Sequence, residues 1–228
     1  MLIILDTADV QEIEKMAKIY PIDGVTTNPS IIAKQKRDFP GLIKEIRKII
    51  GESKMLHVQA LGKTAEEIVD EAQYLNDFIG GNLYIKIPVI EEGIRAISLL
   101  KGKSIKTTAT AVFTPLQALI AARAGAEYVA PYVNRLDSIS ADGVKVVSEI
   151  VQIFNIHHLN AKVLAASFKN TEQVHKVCLA GAQSITVSPD ILSQLLFHPL
   201  TDWSVEKFVN DWEDLYGKEM RTNNLTIS

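Results

Sequence analysis

"LYIKIPV" (residues 83–89) is a short run of apolar, strand-forming residues with a lysine at its centre and a proline near its end. Its hydrophobicity is nearly continuous rather than alternating. Strands of that kind are buried on both faces, as in a parallel sheet covered by helices. The pattern recurs along the chain. LIILD (2–6), DGVTTN (23–28), MLHVQA (55–60), LYIKI (83–87), IKTTAT (105–110), YVAPYV (128–133), KVLAAS (162–167) and SITVS (184–188) make eight such runs. Each precedes a stretch of helical periodicity, for example TAEEIVDEAQYLNDFI (64–79) or ADGVKVVSEIVQIF (141–154). Helix starts are marked by Asn28 before Pro29, Thr114 before Pro115 and Ser188 before Pro189, each a capping side chain followed by a first-turn proline. Eight strand–helix units in 228 residues fit an α/β fold of the (β/α)8 TIM-barrel type. A doubly wound open sheet would carry a glycine-rich phosphate turn after its first strand, and LDTADV is not one.

This reading assigns residues 1–200 to a single barrel and 201–220 to an extra C-terminal helix. That helix, TDWSVEKFVNDWEDLYGKEM, carries Trp203, Phe208 and Trp212 on an amphipathic frame and packs on its own or a neighbouring subunit. The polar segment 221–228 is expected to be a flexible tail.

Composition narrows the function. The chain is 47% hydrophobic and 22% charged, an ordinary globular balance. A net charge of −3 provides no broad basic field for nucleic acid or an anionic membrane. Cys178 stands alone, which excludes an internal disulfide and a cysteine-based metal cluster. No apolar stretch reaches the roughly 18–20 residues that span a bilayer, and MLIILDTADV lacks the basic start of a signal peptide. A soluble, cytoplasmic chain is expected.

Barrel enzymes place their reactive groups at the C-terminal ends of the strands. Read in that way, the strands contribute Asp6, Thr26 with Asn28, Gln59, Lys86, Thr108 with Thr110, Tyr132 with Arg135 just beyond, and Ser167. A lysine inside a barrel is desolvated, which disfavours its ammonium form and leaves an amine able to attack a carbonyl. The bland alternative for Lys86 is a buried ion pair with Asp6. Arg135 suits a phosphate, with a surface pair to Asp137 as its bland alternative. Asn28 and Ser167 could serve only as cap and loop residues. His57, two residues before Gln59, is expected to form the wall of the same mouth, with proton carriage as its second reading. No Walker loop, GxGxxG turn or HExxH pair is present.

GVTTNPSII (24–32), KIPV (86–89), TATAVF (108–113), AGAEYVAPYVNRLD (124–137) and LAASFK (164–169) resemble the small transaldolase family, in particular its fructose-6-phosphate aldolase branch. The resemblance runs from Met1 to about Tyr216. It implies a class I aldolase whose Schiff-base lysine is Lys86, with no metal or organic cofactor. It implies active-site roles for Asp6, Asn28, Thr110 and Ser167, and phosphate contacts from Arg135 and Ser167. It implies a homo-oligomer, commonly a decamer of two pentamers, in which the C-terminal helix reaches a neighbour.

The family's transaldolases carry glutamate and phenylalanine where this chain has Gln59 and Tyr132; the aldolase branch pairs glutamine with tyrosine. A carboxylate can exchange a proton with a held water, whereas an amide only orients it. The Tyr132 hydroxyl can then supply the proton. This chain departs from the aldolases at His57, where an aromatic is usual, at Thr108 and Ala109, which replace leucine and glycine, and at Phe113, which replaces tyrosine. The expected reaction is reversible cleavage of fructose 6-phosphate to dihydroxyacetone and glyceraldehyde 3-phosphate. The alternatives are transfer of the dihydroxyacetone unit between sugar phosphates, and a sugar-phosphate-binding scaffold without catalysis.

Overall fold

The computed structural model describes residues 1–225. The strands are β1 (Leu2–Asp6), β2 (Gly24–Thr26), β3 (Met55–Gln59), β4 (Leu83–Pro88), β5 (Thr107–Val112), β6 (Tyr128–Pro131), β7 (Lys162–Ala165) and β8 (Ser184–Val187). They pair in parallel, each with its neighbour in sequence, and β8 closes on β1 through Leu2↔Ser184 to Leu5↔Val187. The chain is therefore the (β/α)8 TIM barrel that the eight runs imply.

Helices return the chain between strands. These are α1 (Val10–Ile19), α2 (Pro29–Lys34), α3 (Phe39–Ile50), α4 (Ala65–Ile79), α5 (Glu91–Gly102), α6 (Pro115–Ala124), α7 (Val133–Asp137), α8 (Gly143–Ile156), α9 (Thr171–Leu179) and α10 (Pro189–Leu196). Their starts follow local chemistry. Asn28 Oδ1 accepts from the Ile31 amide, and Thr114 and Gln117 close a reciprocal capping box at α6. Ser188 Oγ lies 3.5 Å from the Ile191 amide, a long contact. The core runs between strands and helices, with Leu42, Ile46, Ile85, Ile97 and Leu100 wholly buried. Each such side chain contributes about 1.5–3 kcal/mol relative to exposure. That shell holds the strands still enough for their inward residues to form a site.

The pairing register sorts the inward residues into layers of four from alternate strands. The uppermost layer is Asp6, Gln59, Thr110 and Ala166. Below it lie Thr26, Lys86, Ala130 and Thr186. Next come Ile4, His57, Thr108 and Leu164, and then Gly24, Tyr84, Tyr128 and Ser184. The lower layers are closed by bulk: Ile4, Met55, Tyr84, Tyr128 and Leu164 form one buried cluster. Gly24 lies within that crowding because a Cβ there would overlap the Met55 carbonyl oxygen.

The chain divides into two units, Met1–Leu192 and Ser193–Ser228. The second contains α11 (Pro199–Tyr216). This helix differs from the expected 201–220 at both ends. It begins earlier because Pro199 suits the first turn and His198 caps it, its side chain accepting from the Leu200 amide. It stops at Gly217, whose φ of 97° breaks the helix. The following turn folds back, and the Trp212 indole donates to the Met220 carbonyl at 2.9 Å. Of the expected tail 221–228, residues 226–228 lie outside the described residues. No helix among the described residues is long and apolar enough to cross a membrane.

Candidate active site

The C-terminal ends of the strands enclose a cavity of about 180 Å³. Asp6, Thr26, Asn28, Lys86, Thr110, Tyr132, Arg135 and Ser167 all line it, together with Ala130, Leu164, Ala166 and Thr186. Eight of the eleven residues singled out in the sequence thus meet at one space. A larger surface cleft of about 890 Å³ lies along α8 and α9, away from these groups.

Lys86 is 6% exposed. Its Nζ donates to the Thr27 carbonyl oxygen at 2.6 Å rather than to a carboxylate. Burial pulls its pKa below the ordinary lysine value, and the nearby Asp6 charge pulls the other way. Asp6 shows the mirror image. Burial pushes its carboxyl above the usual range, against the opposing effects of Lys86 and the Thr26 hydroxyl. Thr26 donates to Asp6 Oδ1 at 2.7 Å and lies 2.6 Å from Thr186 Oγ1. For both groups desolvation outweighs attraction, so the simple buried ion pair is an incomplete description. The arrangement keeps an amine uncharged more readily than water does.

This balance makes Asp6→Asn informative. Without the carboxylate, Lys86 loses the attraction that holds its pKa up, and the pKa falls further. The neutral amine then persists to lower pH. The acid limb of any Lys86-dependent reaction should move to lower pH, while the maximal rate drops because a positively charged imine loses its counter-charge. A pH profile of borohydride trapping checks this; a limb displaced to higher pH would contradict it.

On the opposite wall, Thr110 Oγ1 lies 3.0 Å from the Tyr132 hydroxyl. Local backbone sets this pair. The β5–β6 register shifts between Ala109 and Val112, and Ala111 takes a φ of 56°. Such a bulge re-aims the side chains beside it. β6 ends at Pro131, so Tyr132 stands as the N-cap residue of α7 instead of ending the strand. Arg135 lies with its guanidinium carbon 5.4 Å from the centre of the Tyr132 ring. Asp137 is occupied elsewhere, accepting from the Gly143 amide and Gln173 Nε2, so Arg135 is not held by the surface pair considered above. Ser167 adopts a φ of 62°, a strained conformation of the kind that gathers at functional sites.

Three expected site residues do not line the cavity. Gln59 ends β3 in register with Lys86 but is not on the wall. His57 and Thr108 lie one layer beneath Lys86, both wholly buried, with His57 Nδ1 2.9 Å from Thr108 Oγ1. The correction has a simple cause. Alternation along a strand gives the face of a residue, but two residues further back is about 6.6 Å deeper. His57 therefore belongs to the floor under the lysine, stacked on Tyr84 with ring centres 4.7 Å apart. Thr186 was missed in the sequence. Its place in SITVS, two residues after Ser184 on the same face, was the available signal, but threonine is an ordinary strand residue.

The model of one family, described as transaldolase/fructose-6-phosphate aldolase, matches residues 3–225. The chain belongs to that family. The match covers the whole barrel and nearly all of the second unit. The family description spans two enzyme activities, one a transferase and one a lyase. Membership makes this chain an enzyme of the transaldolase/aldolase kind and leaves the fate of the carbon fragment to the site itself.

Proposed function

We propose that this chain is a class I aldolase that reversibly cleaves fructose 6-phosphate to dihydroxyacetone and glyceraldehyde 3-phosphate. The observation that carries the reading is the Tyr132 hydroxyl on the cavity wall, hydrogen-bonded to Thr110 and sharing the cavity with Lys86. A proton donor at that place lets the three-carbon fragment leave.

In this reading the Lys86 amine attacks the C2 carbonyl and water departs, leaving an iminium. The C3–C4 bond breaks as the C4 hydroxyl gives its proton, through a bound water, to Tyr132 acting as the base. The bonding pair flows into the iminium to give an enamine, and glyceraldehyde 3-phosphate departs. Tyr132, through a water held by Thr110, returns that proton to C3. Gln59, which lies in the same inward layer as Thr110 but off the cavity wall, joins in holding the water by turning inward. Hydrolysis of the imine frees dihydroxyacetone and Lys86. Asp6 supports the positive nitrogen, Thr26 holds Asp6, and Asn28 binds sugar hydroxyls. Arg135 and Ser167 take the phosphate, the guanidinium by paired hydrogen bonds. No cofactor enters any step.

The test is fructose 6-phosphate supplied alone, with triose phosphate measured. Steady release at a rate independent of any added aldose phosphate is expected. Release only when erythrose 4-phosphate is added would instead make the chain a transaldolase.

We also propose a cytoplasmic homo-oligomer, with the family's decamer as the expected form. Trp203, Phe208 and Leu215 of α11 are 60%, 67% and 73% exposed. A stripe of that size is costly to leave in water and suits a neighbouring subunit.

A further inference from the structure

His57 is a charge-capable side chain in the floor of a barrel, 0% exposed. Nδ1 is paired with Thr108, but Nε2 is buried with no partner. Its layer is otherwise completed by Ile4 and Leu164, and two apolar residues in place of His57 and Thr108 would fill it without stranding a polar atom. The arrangement is therefore a cost to the fold.

The position of the pair is specific. His57 is on β3 and Thr108 on β5, so their hydrogen bond crosses the inner face of β4 between Tyr84 and Lys86. Lys86 lies in the layer above it, and Tyr84 is stacked on the ring below. Tyr128 meets the ring edge at 5.8 Å between centres. The backbones are linked as well. The His57 carbonyl accepts from the Thr27 amide and hydroxyl, and the Thr27 carbonyl receives Lys86 Nζ.

We propose that His57, held by Thr108, is a positioning residue that supports the positive charge on the Lys86 nitrogen from beneath. It is a dipolar, uncharged partner set opposite the carboxylate of Asp6 above. The inference rests on the proposed role of Lys86 as the imine-forming residue.

The charges around the pair fit. Lys86 is faced by Asp6 from β1 and shares its cavity with Tyr132 and Arg135 from the β6–α7 segment. His57 is faced by Lys86 and Tyr84 from β4 and by Tyr128 from β6, with no carboxylate in its own layer. Burial first, and then the Lys86 charge, hold the imidazole well below its ordinary pKa. The ring therefore stays neutral, and a positive charge on the Lys86 nitrogen, as ammonium or iminium, disfavours protonation of the ring further. Donation from Nδ1–H to Thr108 leaves the Nε2 lone pair open, the tautomer that a neighbouring cation favours.

The experiment is borohydride trapping with dihydroxyacetone as probe, from pH 5 to 9, in the parent, His57→Phe, His57→Gln and Thr108→Val. Folding is checked by circular dichroism, and turnover of fructose 6-phosphate is measured alongside. Phenylalanine fills the space without a dipole, so the ammonium and the iminium both lose support. The acid midpoint of trapping should move down by about one pH unit, a factor of about ten in population at fixed pH. The cleavage kcat should fall about as much, with KM little changed. Glutamine, which keeps a dipole, should restore most of both. Thr108→Val should move the midpoint in the same direction, and serves should the phenylalanine variant fail to fold. Folded variants with the parent midpoint, or a glutamine variant as impaired as the phenylalanine one, would overturn the inference alone. A parent that gives no Lys86 adduct would overturn the proposed function and this inference with it.

Discussion

Lys86→Met will lose its borohydride adduct with dihydroxyacetone and its turnover, the latter on the order of 10⁴-fold or more. No other lysine is placed to take over, because Lys86 is the lysine on the cavity wall. Sugar-phosphate binding should survive, since Arg135, Ser167 and Asn28 line the cavity independently of it. A parent without turnover that binds as tightly as this variant would favour a binding scaffold over an enzyme. A variant that still cleaves would remove Lys86 from the chemistry.

The same variant tests the electrostatic balance. In the parent, the folded pKa of Lys86 lies below its unfolded value, so its stabilising share is lost as pH falls through that folded pKa. Methionine removes that loss but leaves Asp6 buried without its opposite charge. Asp6 already has a raised pKa, and in the variant it should rise further. A raised carboxyl contributes stability that is present below its unfolded pKa and lost as pH rises through the folded one. Lys86→Met should therefore be relatively more stable at mildly acid pH and lose that advantage towards neutrality. Adding Asp6→Asn should flatten the dependence. Thermal midpoints measured across pH for the two variants decide this.

Tyr132→Phe carries the second large effect. It removes the hydroxyl that Thr110 holds and keeps the ring beneath Arg135. Positioned proton transfer contributes roughly 10²–10⁴-fold, and the loss should fall on release of the three-carbon fragment. Trapping of the Lys86 adduct should persist while acceptor-free cleavage collapses. Combining it with Gln59→Glu, which returns a carboxylate to the end of β3, should raise transfer to an aldose acceptor relative to cleavage. An unchanged ratio would separate this pair of residues from the fate of the fragment.

Much of this site was legible before the fold. Lys86 stood out because an isolated cation in a strand with near-continuous hydrophobicity has few structural uses. Asp6, Asn28, Thr110 and Arg135 stood out because each follows or ends a strand, where a parallel barrel opens to solvent. His57 and Thr108 were misplaced in depth although their face was right. Thr186 was passed over because nothing local distinguishes it from any strand threonine. The partner of Lys86 was also not legible: its nearest acceptor is a backbone carbonyl, at Thr27, and backbone groups carry no sequence signal.

By itself the sequence determined the repeating strand–helix unit, its eightfold count and the polar character of one end of the strands. Those follow from local periodicity and from where caps and prolines interrupt it. Only the tertiary structure decided which residues share a layer, how deep the cavity reaches and what lies beneath Lys86. Barrel closure fixes a register around all eight strands at once, and depth is a property of that register rather than of any one strand. The pKa values of Lys86 and Asp6 depend on it in turn, because both are set first by burial, and burial exists only once the barrel has closed.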